Sequence, residues 1–100
     1  MKFSRGTKQS DVTKLHGKMF LMLGEIKLFA DSYHLDFIVH KIEHRSFDII
    51  PIKWPYREIA YIHTHLNHNY HQWGFKGKIC KVMADNTLKI RLGKSKETIN

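Results

Sequence analysis

Val12, Leu15, Met19, Met22, Leu23, Ile26, Phe29, Ala30 and Tyr33 recur at steps of three and four residues, the spacing that keeps side chains on one stripe of an α-helix. Ser10, followed by Asp11, suits the N-cap because its hydroxyl accepts a bond from an otherwise unpaired N–H. The pattern predicts a helix over 10–33, weakened at Gly17 and Gly24, with Gly17 marking a break after a short first turn. The period then changes. Residues 35–42 (LDFIVHKI) and 46–52 (SFDIIPI) are rich in β-branched and aromatic side chains and predict two strands, with Pro51 at a strand end or edge. Glu43, His44 and Arg45 between them are few enough to close a hairpin.

Pro55 fits the first turn of a second helix, in which Tyr56, Ile59, Ile62, Leu66, Tyr70 and Trp73 again form a stripe and Gly74 is the natural stop. Residues 76–84 and 87–92 flank Asp85-Asn86, and Leu88, Lys89, Ile90, Arg91 and Leu92 alternate strictly. This predicts a β-hairpin with one greasy face and one cationic face. Residues 1–9 read as a basic arm in which Phe3 can pin itself to the core, and 93–100 as a polar tail. The expected fold is a single α+β domain over 1–100, in the order α-β-β-α-β-β, with a small antiparallel sheet covered on one side by two helices.

Composition narrows the functional classes. One hundred residues with 42% hydrophobic content suffice for one core and not two. Seventeen Lys plus Arg against nine Asp plus Glu leave a formal charge of +8, which attracts nucleic acid, acidic proteins or anionic membranes and argues against an acidic DNA mimic. The single cysteine, Cys80, sits in an apolar strand-like run and is expected to be a buried thiol in a reducing compartment. No stretch is long and apolar enough to cross a bilayer, and the first ten residues lack a signal-peptide core. The expected location is the cytoplasm of a host cell, with no membrane partner.

Several strings resemble a known family. Phe3-Ser4, then Leu15-His16 entering an amphipathic helix, then Asp36-Phe37-Ile38-Val39 and Ser46-Phe47-Asp48-Ile49-Ile50-Pro51, resemble phage zinc peptidases that cut peptidoglycan cross-bridges, the D-alanyl-D-alanine carboxypeptidase and L-alanyl-D-glutamate endolysin family. The resemblance spans most of the chain in element order and about a quarter of its residues in motif. It implies a zinc held by a His and an Asp from the second strand region and a His on the last strand, with a nearby Glu as base. Asp48 matches the Asp, and His44 or His40 stands in for the first His without the family spacing. The segment carrying the family's Arg is missing. Residues 87–92 contain neither His nor Glu, and the only later acid is Glu97. The resemblance therefore implies a degenerate relative that keeps the scaffold and has lost the catalytic site.

Other chemistry is thin. His63, His65, His68 and His71 cluster on the second helix. At 100° per residue His65, His68 and His71 share a sector opposite the apolar stripe. Pairs at i, i+3 give at most a weak metal site, so a solvated polar face is the expectation. There is no P-loop, dinucleotide turn, nucleophile elbow or paired-Cys motif, and no spacing selects a His-Asp nuclease from His40 or His44, Asp48 and Glu58. Tyr61, and Phe75 if the helix runs that far, project away from the apolar stripe, as an exposed hot spot would.

The basic hairpin carries the functional signal. Lys76, Lys78, Lys81, Lys89, Arg91, Lys94 and Lys96 fall within a stretch whose only acid is Asp85. Since Leu88, Ile90 and Leu92 take one face, Lys89 and Arg91 share the other. Lys76, Lys78, Lys81, Lys89, Arg91 and Lys94 are the expected partner-binding residues, with no catalytic residues, no metal and no cofactor. The expected function is that of a phage-encoded inhibitor, anti-CRISPR-like, that docks this face where a host ribonucleoprotein or protein complex holds nucleic acid or an acidic loop. A minimal zinc peptidase and a direct non-specific nucleic-acid binder are the alternatives.

Overall fold

A computed structural model of the chain describes residues 17–43, 45–73 and 77–93. The expected N-cap at Ser10, the basic arm, His44, the Gly74 stop, Lys76, Lys94 and most of the tail lie outside them. Within them the chain runs α1 (Gly17–Ser32), β1 (Asp36–Glu43), β2 (Ser46–Ile52), α2 (Tyr56–Asn69), a 3₁₀ turn (His71–Trp73), β3 (Cys80–Val82) and β4 (Leu88–Arg91). The four strands form one antiparallel sheet in the order β1-β2-β4-β3, so the fold is α+β, as the spacing predicts.

In α1 the stripe buries Met19, Met22, Leu23, Ile26 and Ala30. The helix ends where His34 turns left-handed at φ 57°. The Leu35 N–H then donates to Ala30 O at 2.8 Å and the His34 N–H to Asp31 O at 3.2 Å, which satisfies carbonyls that a helix end otherwise leaves unpaired. Tyr33, placed in the apolar stripe by its spacing, is 54% exposed, because this turn carries it off the helical face.

β1 and β2 close the expected hairpin, with an irregularity between His40 and Glu43 where Lys41 adopts φ 52°. Inward positions Phe37, Val39, Phe47 and Ile49 join Leu88, Ile90, Cys80 and the buried stripes of both helices in one core. Trp54 closes one end of that core. Its ring meets Phe37 edge-on at 6.4 Å, and its indole Nε1 donates to Asp36 O at 2.7 Å.

α2 begins after Pro55, which stands in an extended conformation at the N-cap. Ile59, Ile62 and Leu66 are buried in it. Two expectations fail. Tyr56, assigned to the stripe, is 76% exposed, since it occupies the first turn, beyond the edge of the core. The helix also stops at Asn69, and Tyr70 and Trp73 continue into the 3₁₀ turn with their rings 4.8 Å apart. A three-residue step fits an α-helix and a 3₁₀ turn alike, so the spacing did not separate them.

Candidate functional site

In an antiparallel ladder, directly opposed residues share a face. The register opposes Ile38 to Ile50, His40 to Asp48, Asp48 to Lys89, Lys89 to Lys81 and Ser46 to Arg91. These residues lie on the sheet face turned away from the core. The strict alternation of β4 therefore does what its sequence implies: Leu88 and Ile90 are buried, while Lys89 and Arg91 share the open face.

At the β3–β4 end of that face Lys78, Lys81, Lys89 and Arg91 line a shallow depression of about 290 Å³, together with Gly77, Ile79, Leu92 and Gly93. Among the described residues, none in its lining is acidic or aromatic. Four of the six expected partner-binding residues thus converge here; Lys76 and Lys94 lie outside the described residues. Arg45 was not anticipated. Its Nη1 donates to Gly93 O at 3.0 Å, fixing the chain just past β4 and bringing a further guanidinium close to the depression. No sequence pattern marked it, because the contact joins segments far apart in the chain.

On the other side of Lys89 lies a second depression, of about 540 Å³, lined by His40, Asp48, Asp85 and Thr87 among others. Asp48 is buried, and its Oδ2 lies 3.7 Å from Lys89 Nζ. Lys89 thus stands between a depression whose described charged residues are all cationic and a mixed one. Asp85 is exposed; the Thr87 backbone N–H donates to its Oδ1 at 3.1 Å, and bonding to Thr87 holds the carboxyl below its ordinary range.

The family resemblance pointed to Asp48 with His40 or His44. Asp48 and His40 are ladder partners, and His44 lies outside the described residues. Among the described residues no three His, Cys, Asp or Glu side chains come together closely enough to hold a metal ion.

The helix-borne histidines do not form one solvated face. His65 Nε2 lies 2.8 Å from Glu25 Oε1, tying α2 to α1, and its ring stacks on Tyr61, which stacks on Phe29. His71 belongs to the 3₁₀ turn, where its Nδ1 donates to His68 O at 3.1 Å. Tyr61 is 55% exposed, as its position on the helical wheel implies; Phe75 lies outside the described residues. Cys80 is fully buried, and burial pushes its thiol up to about 12. Its backbone is held by Asn67, whose Nδ2 donates to Cys80 O at 2.9 Å while its Oδ1 accepts from the Cys80 N–H at 2.8 Å.

Among the described residues no helix is long and apolar enough to cross a membrane. No family model, curated protein or solved structure matches this chain.

Proposed function

We propose that the chain is a non-catalytic binding protein whose open sheet face takes a polyanionic partner. The observation that carries this reading is the convergence of Lys78, Lys81, Lys89 and Arg91 on one depression, with no acid among the described residues of its lining. The chain's overall charge of +8 adds a long-range field that draws a polyanion toward that face. In this reading the protein covers exposed nucleic acid, or an acidic loop, of a host nucleic-acid-directed complex and blocks it sterically. A phage-encoded, anti-CRISPR-like inhibitor working in the host cytoplasm is the biological setting that fits such a small cationic module.

Binding of the purified chain to a mixed-sequence oligonucleotide and to polyglutamate, compared with the K89E/R91E double variant, tests the surface. At low salt the wild type binds at least one of the two polyanions, and the variant loses that binding tenfold or more while keeping its fold by circular dichroism. Undiminished binding by a folded variant would sink the assignment of this face.

A further inference from the structure

Across the open face the opposed residues run His40, Asp48, Lys89, Lys81 from β1 to β3. Directly opposed side chains are nearest neighbours on a sheet face, and like charges there repel. Lys81 and Lys89 form such a pair. Asp48 meets Lys89 from the other side at 3.7 Å and offsets only part of that repulsion, since the contact is long and involves one oxygen. Arg91 stands two residues beyond Lys89 on the same face and adds a third positive charge.

Protection of a sheet edge explains one of these residues and not the others. A lysine on an edge strand discourages pairing with another chain, and β3 is an edge. β4, however, lies between β2 and β3, so Lys89 and Arg91 protect no edge. Their placement opposite and beside Lys81 sets like charges as neighbours on one face, with Asp48 as the acid beside Lys89. An oxyanion offsets that repulsion, because its several acceptor oxygens can take an ammonium from each lysine and the forked donors of an arginine together.

We propose that Lys81, Lys89 and Arg91, with Lys78 in the same lining, form a site for a phosphate group of a nucleic-acid backbone, and that binding releases the repulsion between Lys81 and Lys89. This deepens the polyanion reading and rests on it. Among the described residues the lining holds no aromatic ring on which a base could stack, so contacts from these cations go to the backbone and carry no sequence information.

Thermal melts of the full chain test this, in low-salt buffer with chloride, inorganic phosphate, a mixed-sequence oligonucleotide or polyglutamate at matched ionic strength. Phosphate and the oligonucleotide are expected to raise the wild-type melting temperature by roughly 3 °C or more, and polyglutamate to do less. In chloride, K81E is expected to melt above the wild type, because it turns a repulsive pair into an attractive one, while its phosphate and oligonucleotide responses vanish. K81Q, which removes the repulsion without adding an acid, should melt no lower than the wild type and respond weakly. K81E and K81Q both melting below the wild type, or K81E retaining the full phosphate response, overturns the proposal. A response to polyglutamate alone overturns it in favour of an acidic protein partner. Oligonucleotide binding that is lost in K89E/R91E but brings no stabilisation by phosphate keeps the polyanion face and removes the phosphate site.

Discussion

His34 stands at φ 57° at the end of α1, a conformation that costs a residue with a Cβ about 1 kcal/mol relative to glycine. Its side chain is exposed, so little packing is lost on replacement. His34→Gly is therefore expected to stabilise the fold by about 1 kcal/mol, read as a higher urea midpoint at unchanged slope; a lower midpoint would show that the imidazole itself holds the turn. The helix end was placed from the change of period after Tyr33, but its left-handed closure was hidden because no glycine marks it. Cys80 leads to a pH prediction. Burial raises its thiol from an ordinary value of 9.0 to about 12, so above pH 9 the unfolded chain loses this proton before the folded chain does. Stability should fall as pH rises from about 9 toward 12, by up to about 1.4 kcal/mol per pH unit from this group. Denaturant titrations of wild type and Cys80→Ala across that range check it: the variant, although weaker throughout, should lack this component of the alkaline slope. That the cysteine is buried was legible from its apolar run.

Among the elements, β3 depends most on a partner outside the sheet. Among the described residues no strand pairs with its outer edge at Cys80, and the Asn67 carboxamide on α2 satisfies both the N–H and the carbonyl there. Asn67→Leu leaves two backbone groups without their partner and is expected to cost about 2–4 kcal/mol, measured by urea denaturation. Asn67→Asp keeps an acceptor for the N–H but no donor for the carbonyl, and should fall between the two. A cost below about 0.5 kcal/mol for Asn67→Leu, the usual size of a surface substitution, would show that water replaces the carboxamide freely. Nothing in the sequence around Asn67 announces this role, since an asparagine on a helix reads equally as a solvated polar residue. The same limit applies to α2: its start at Pro55 was legible, but its end was not, because Tyr70 and Trp73 keep an apolar spacing that the 3₁₀ turn also accepts.

At the scale of the whole molecule, helices cover one face of the sheet, and the other carries Ile38 and Ile50 on the β1–β2 side and the cations on the β3–β4 side. The core closes on the helical side through the inward residues of all four strands, leaving Lys81, Lys89 and Arg91 on the open side. If these cations and Lys78 each neutralise one phosphate, the logarithm of oligonucleotide affinity should fall with the logarithm of salt concentration at a slope of about −3. K89E/R91E, where binding remains measurable, should show a slope shallower by at least about 1.4, or 0.7 for each of the two contacts removed. The sequence by itself determined the order of elements, the inward residues of β4 and the shared side of Lys89 and Arg91, because these follow from local periodicity. Only the tertiary structure decided that β4 pairs with β2 as well as β3, which sets Asp48 beside Lys89 and makes Lys89 an inner rather than an edge residue. Strand order and register depend on how distant segments pack against a common core, and no local spacing encodes that choice.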